Sequence, residues 1–273
     1  MTMPTASTKP GQPSSASGTG RLTVGRVPFL NCAPFFQGLG VDGAVELVDV
    51  PPRQLGKEAE AGNVAAGPMA LADYLRLQDR FERLGNLGIA VHGRCGSTEL
   101  FSRRPIRQLD GAVIAVSDQT STTALLLRLI LEQRYALSPK AYQRGAAHGA
   151  ADAALLIGDD ALKFRAENRT FPFEIDLSFE WWLWQHLPSV FAVWVVRKDC
   201  SPDDKQRLSR TIQKQLAVNL GRLDLLAQQG SERLGLSSEE LKLYLTRFQY
   251  RLSEPEERAI KQFEQLVHEH HLL

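Results

Sequence analysis

The 273-residue chain has only three cysteines, Cys32, Cys95 and Cys200, and no two of them stand at CxxC or other metal-ligand spacing. That scarcity argues against a disulfide framework and against a zinc ribbon, and it fits a reducing compartment. Charge of one sign is lacking too: 32 Lys+Arg face 31 Asp+Glu, a net charge of +1. Such balance gives no reason to expect a nucleic-acid surface or a polybasic membrane patch. Long apolar runs are missing as well. Stretches such as Val190 to Val196 fall far short of the roughly 18 residues that a membrane helix needs. His92, His148, His186 and the terminal His268, His270 and His271 form no HExxH or comparable pattern, so no metal site is expected. The first 20 residues have no apolar h-region and are rich in Ser, Thr, Pro and Gly. They read as a disordered tail, not a secretory signal.

What is present is an ordinary globular composition, 43% hydrophobic and 23% charged. At roughly 150 residues per domain, the length suits one large or two small domains. Apolar segments expected as strands are Leu22–Val27, Val45–Val50, Leu87–Val91, Thr98–Ser102, Ala112–Val116, Ala153–Ile157 and Val190–Val196. Helical spacing falls between them, in PPRQLGKEAEAG, ALADYLRLQDRF, Thr122–Tyr135 and Asp160–Glu167. The alternation predicts an α/β fold with a largely parallel sheet. After Arg197 only helices are expected, three in number, opened by Ser201-Pro202 and by S-x-x-E boxes at Ser237 and Ser253. LFSRRPIRQLDG and FAVWVVRKDCSPDD read as crossings between lobes. That places 21–104 with 197–273 in a discontinuous first lobe, 105–190 in an inserted second lobe, and 191–196 in a crossing strand. A cleft between two such lobes is a usual place for a small-molecule site.

Several motifs bear on chemistry. Gly38 to Gly43 spells G-x-G-x-x-G, but a turn precedes it and a strand follows, the reverse of what a dinucleotide needs. Asp118–Thr123 is more informative, because it joins a strand to an apolar helix. Thr120, Ser121, Thr122 and Thr123 exceed the single hydroxyl that N-capping uses, and predict a cradle for a carboxylate or phosphate. Arg26 and Asn31 bracket the loop GRVPFLNCAP, stiffened by Pro28 and Pro34. Asn31 can position a substrate there or satisfy its own turn. Gly93 to Thr98 permits close backbone approach to a ligand and offers Ser97, though a plain turn explains the same residues. Asp159 and Asp160 stand at a strand end opening a helix, where one or both can simply cap it. Trp181, Trp182 and Trp184 cover both sides of a short helix and read as packing.

The blocks VGRVPFLNCAP, GPMALADYL, GSTELFSRRPIRQLDG, TSTTALLL, LLIGDDAL and LPSVFAVWVVR occur in that order. Together they resemble the chorismate dehydratase family of the futalosine route to menaquinone, over roughly residues 22–250. The resemblance implies a two-lobe, type II periplasmic-binding-protein-like α/β fold with an interlobe cleft. It implies a cytoplasmic lyase that removes water from chorismate, giving 3-[(1-carboxyvinyl)oxy]benzoate with no metal or organic cofactor. On that reading Asn31 is the catalytic hydrogen-bonding group, acting on the departing hydroxyl or the ether oxygen. Arg26, Pro68, Met69, Ser97, Thr98, Thr120, Ser121, Thr122, Thr123 and Asp159 are the expected substrate-binding residues. One departure stands out: relatives read like PVSS or PVPS where this chain has Pro68-Met69-Ala70-Leu71, without the hydroxyls. Two alternatives remain open at this stage. One is a sister enzyme of the same pathway, which cleaves cyclic dehypoxanthine futalosine to 1,4-dihydroxy-6-naphthoate and whose proposed base is a histidine. The other is a non-catalytic binding protein for a small anion.

Overall fold

The computed structural model describes residues 21–41, 45–145 and 148–273. The first 20 residues and the Asp42-Gly43 end of the G-x-G-x-x-G stretch lie outside the described residues. The chain begins with β1 (Leu22–Arg26), α1 (Ala33–Phe36), β2 (Val45–Asp49), α2 (Pro52–Glu60), β3 (Ala66–Ala70), α3 (Leu71–Leu77) and β4 (Phe81–Val91). It continues through β5 (Thr98–Ser102), β6 (Val113–Val116), α4 (Thr122–Arg128), β7 (Ala141–Arg144), β8 (Ala153–Ile157), α5 (Gly158–Glu167), β9 (Phe173–Asp176) and α6 (Leu177–Gln185). Last come β10 (Ser189–Arg197), α7 (Pro202–Leu220), α8 (Leu223–Leu234), α9 (Ser238–Leu245), β11 (Phe248–Arg251) and α10 (Glu254–Glu269).

Among the described residues these strands form two sheets, ordered β11-β4-β10-β3-β1-β2 and β7-β6-β8-β5-β9. Each sheet is mixed, which corrects the expectation of a largely parallel one. In the first, β1 runs parallel to β2 and β3, whereas β10 is antiparallel to β3 and β4, and β11 is antiparallel to β4. In the second, β6 is parallel to β7 and β8, but β5 is antiparallel to β8 and β9. The antiparallel pairs arise where the chain passes from one sheet to the other and returns through a neighbouring strand. A run of apolar residues does not encode that direction.

The passages also differ from the boundaries read at 104/105 and 190/191. β5 belongs to the second sheet, so the chain leaves the first sheet between Val91 and Thr98. It returns between Gln185 and Ser189, and 191–196 is an integral part of β10, held on both sides by the first sheet. The C-terminal region holds four helices and a strand where three helices were expected. α8 starts at Arg222 with no side-chain cap, so it lacks the signal that marks α7, α9 and α10. β11, β7 and β9 are only four residues long each and are half polar, too short for a period-2 pattern to show.

α7 shows how the packing follows from sequence. Ser201 caps it by accepting the Asp204 N–H at 3.1 Å, and Pro202 occupies its first turn. Leu208, Ile212 and Leu216 then recur every four residues and are buried with Val24, Phe35 and Trp194 of the first sheet's layer. Each such side chain contributes about 2 kcal/mol by leaving water. A second core cluster is shared between the sheets: Leu55 and Met69 join Ile114, Leu127 and Leu155, and Trp181 of α6 meets Phe263 of α10 edge to face. Among the described residues no helix is long and apolar enough to cross a membrane.

Candidate active site

The parallel strands β1, β3, β6 and β8 all end toward one cavity between the sheets, of about 600 Å³ including its open mouth. Strand ends facing a crevice are the usual ligand site of such sheets. One wall is the loop after β1, where Phe29, Asn31 and Cys32 line the space. Asn31 sits half-buried in a 3-10 turn, its Oδ1 3.5 Å from the Cys32 thiol, which donates to it. The facing wall is the loop from Gln119 to Thr123, which opens α4. Pro68 and Ala70 of β3, Phe191 and Ala192 of β10, Ile157-Gly158 after β8, and Cys95, Ser97 and Thr98 complete the lining.

The helix start carries the most chemistry. Helical geometry leaves the N–H groups of Thr122, Thr123 and Ala124 without i−4 partners, and the Ser121 side chain caps none of them. The helical run continues from α4 through π-helical turns at Leu129–Arg134, a departure from the uniform helix expected over Thr122–Tyr135. Two of the four hydroxyls are taken up by the opposite lobe. Ser121 Oγ donates to Asp73 Oδ1 at 2.8 Å and accepts from Arg76 Nη2 at 3.1 Å. Thr122 Oγ1 accepts the Ala72 N–H and donates to the Phe191 carbonyl, both at 3.1 Å. These bonds dock the loop onto α3 and β10, and so set the helix start against the cavity.

Across from it, Ser97 Oγ lies 2.8 Å from Tyr244 Oη and 3.3 Å from Cys95 Sγ. Thr98 Oγ1 is buried at the cavity and has no protein partner. Burial pushes the Cys95 thiol up to about 12 and the Cys32 thiol further still. Both are therefore neutral at physiological pH. Among the described residues, no Asp, Glu, His, Lys or Arg lines this cavity. Anionic groups entering it would meet backbone N–H groups, hydroxyls and amides.

Three expected site residues lie elsewhere. Arg26 ends β1 and forms a two-pronged ion pair with Asp49, its register partner on β2, with one contact at 2.7 Å. It borders a separate hollow with Arg233, not the cavity. Met69 is wholly buried in the core, because successive residues of β3 point to opposite faces and Pro68 takes the cavity side. Asp159 accepts the Leu30 N–H at 3.0 Å and pairs with Arg233 of α8 at 2.5 Å. It thereby ties the Asn31 loop to α5 and α8, and burial raises its pKa against those partners. Pro68, Asn31, Ser97, Thr98 and the Thr120–Thr123 segment are brought together.

Sequence reasoning missed Gln119, Phe191 and Gly158 on the lining, and Asp73 and Tyr244 behind it. Gly158 had a readable signal, a glycine at a strand end. It has φ +57, and a Cβ there would lie 2.5 Å from the Phe29 ring. Asp73 and Tyr244 sit within helical patterns that give no local sign of an inward polar role. Two of the three tryptophans pack as expected: Trp181 Nε1 donates to the Pro188 carbonyl at 3.0 Å and Trp184 meets Trp181 edge to face, whereas Trp182 is half-buried beside the His92 ring.

Known structures share this architecture. A protein of Archaeoglobus fulgidus superposes with a TM-score of 0.75 at 19% identity, covering 93% of this chain and 98% of that one. The alkanesulfonate-binding protein SsuA of Xanthomonas axonopodis pv. citri gives 0.70 at 15% identity, over 94% and 96%. At such identity these likenesses establish the fold alone, that of the periplasmic binding proteins. In sequence, a chorismate dehydratase of Thermus thermophilus is 30% identical over 251 residues, 86% of this chain and 91% of that protein. A family model described as menaquinone biosynthesis matches residues 22–269. With nearly all of the described fold inside that match, the chain belongs to the menaquinone biosynthesis family.

Proposed function

We propose that this protein is a chorismate dehydratase, a carbon–oxygen hydro-lyase that converts chorismate to 3-[(1-carboxyvinyl)oxy]benzoate and water in the cytoplasm. The observation that carries the reading is the cavity itself: a helix start with uncapped N–H groups faces polar neutral side chains, and among the described residues no charged side chain lines the wall. The similarity to the Thermus thermophilus enzyme supplies the reaction class.

Chorismate carries a ring carboxylate, an enolpyruvyl carboxylate, an ether and a ring hydroxyl. In the reaction the C–H bond at the ether-bearing carbon and the neighbouring C–OH bond break. A ring double bond forms, and the hydrogen leaves with the hydroxyl as water. The C–H is conjugated through a ring double bond to the ring carboxylate, so its removal sends negative charge there. The N–H groups at the start of α4 would stabilise that charge as it develops, which lowers the barrier instead of only tightening binding. Thr98, with its unpartnered hydroxyl, and the Ser97 region would receive the second carboxylate. Asn31 would donate from its amide to the departing hydroxyl or the ether oxygen.

A base is required, and among the described residues the lining offers no ionised side chain for the task. The substrate's own enolpyruvyl carboxylate can reach the adjacent C–H if the site folds it over the ring, and positioning of this kind can supply much of the acceleration. The test is incubation of the purified protein with chorismate, followed by mass spectrometry. A product one water lighter supports the reading; chorismate bound but unchanged would assign the cavity to a carrier and refute the dehydratase. Turnover of cyclic dehypoxanthine futalosine in its place would assign the sister activity.

A further inference from the structure

Ser97 lines the cavity from the passage between β4 and β5, where the backbone is pinned at three points. The Gly96 N–H donates to Asp176 Oδ2 at 2.8 Å, the Ser97 carbonyl accepts the Gly158 N–H at 2.8 Å, and the Cys95 carbonyl accepts from Arg247 at 3.3 Å. What those bonds leave free is the direction of the Ser97 hydroxyl proton. Tyr244 of α9 meets that hydroxyl, oxygen to oxygen, at 2.8 Å. Its ring is buried and packs edge to face on Phe248, with centroids 4.9 Å apart. Burial raises the phenol well above its ordinary pKa, so it keeps its proton.

A neutral phenol has one proton to donate, and a buried donor without a partner is costly. Among the described residues, Ser97 Oγ is the one hydrogen-bond partner of Tyr244 Oη. Were Ser97 to donate to the phenol, the phenol proton would be stranded in the core. The satisfied arrangement has Tyr244 donating and Ser97 accepting, which turns the Ser97 proton away from Tyr244. The other neighbour of that hydroxyl among the described residues is Cys95 Sγ at 3.3 Å, a neutral thiol and a weak acceptor. A ligand oxygen in the cavity outcompetes it.

We propose that Tyr244 is a positioning residue that makes Ser97 a dedicated hydrogen-bond donor to the cavity, and so fits it to an acceptor oxygen of the substrate, a carboxylate above all. The inference rests on the dehydratase reading for the identity of that carboxylate. Tyr244 stands behind the lining and acts through Ser97. A hydroxyl held as a donor gains nothing from an ammonium or an amide N–H, so the pair selects by chemistry as well as by place.

The test has a spectroscopic and a kinetic arm. The tyrosine ring doublet in ultraviolet resonance Raman spectra distinguishes a donating phenol from an accepting one. The difference between the parent and Tyr244→Phe isolates this ring among the five tyrosines. It should be the signal of a donor, and Ser97→Ala should abolish it. In steady-state kinetics Tyr244→Phe should raise KM for chorismate about fivefold with kcat unchanged, as expected when one neutral hydrogen bond no longer orients a binding group. In the Ser97→Ala background the same change should raise KM less than twofold. Where Tyr244→Phe compromises folding, the difference between the parent and Ser97→Ala still reports the donor.

An accepting phenol in the Raman difference would overturn the proposal. So would an equal KM penalty in both backgrounds, or a Tyr244→Phe protein whose KM stays within twofold of the parent. Failure of the parent protein to act on chorismate would refute the dehydratase reading separately, while the Raman comparison would still decide which way the Tyr244–Ser97 bond runs.

Discussion

Thr98→Val is the sharpest test of the cavity. The substitution keeps the β-branched shape on β5 and removes a hydroxyl that is buried and has no hydrogen-bond partner within the protein. A buried polar group without a partner costs about 1–3 kcal/mol, so its removal should leave unfolding free energy unchanged or raised by up to about 1 kcal/mol, allowing for relaxation at the open side of the site. Binding should respond in the opposite direction. A hydrogen bond to a charged group is worth about 1.5–3 kcal/mol, which is a loss of about 10- to 150-fold in affinity for the substrate. Thermal or urea unfolding measures the first quantity, and steady-state kinetics with calorimetric binding of chorismate the second. Opposite signs in the two assays are the mark of a group kept for the ligand. A Thr98→Val protein with normal KM and lowered stability would refute the reasoning and make Thr98 an ordinary packing residue.

Three further outcomes follow from the same geometry. Asn31→Ala should lower kcat by about a hundredfold with little change in stability, because the amide is one of few donors able to meet the leaving hydroxyl; unchanged turnover would remove Asn31 from the chemistry. Gly158→Ala should destabilise the fold by about 1–3 kcal/mol and impair binding, since φ +57 and the 2.5 Å approach to Phe29 leave no room for a Cβ; wild-type melting would contradict this. Glu99, cross-strand from Asp176, is pushed up to about 7 by burial and by that second carboxylate, despite its ion pair with Arg165. Its folded pKa lies above the unfolded one, so the stability it contributes is present below about 4.5 and is lost as pH rises through about 7. Glu99→Gln should flatten that decline in urea unfolding measured from pH 4 to 8, and an identical slope in both proteins would exclude Glu99 as its source.

Strands β1, β5, β8 and β10 were legible as strands, β8 and β10 from continuous apolar runs and β1 and β5 from a few apolar residues between turn signals. So were helices that carry a capping serine, such as α7, α9 and α10. Their signals are local: side-chain periodicity and the chemistry of a helix end. The hydroxyl-rich segment Thr120–Thr123 was legible as the junction of a strand and an apolar helix for the same reason, and the structure places it on the cavity wall.

Tertiary structure decided the rest. The direction of β10 against β3 and β4 depends on where the chain returns from the second sheet, which no periodicity records. Which face of β3 meets the cavity separated Pro68 from Met69, although both stand in one short apolar run. Arg26 was drawn away by Asp49, 23 residues on, and Asp159 by Arg233 and the Leu30 amide. The Ser121 hydroxyl is bonded to Asp73, 48 residues earlier on the other side of the cavity. The amino-acid sequence by itself determined which segments could be strands, which helix start is rich in hydroxyls, and that no charge run or cysteine framework would organise the fold. Only the folded chain decided which polar groups are spent on one another and which are left open, because a hydrogen bond satisfied across a long loop removes a donor that looks available in the linear sequence.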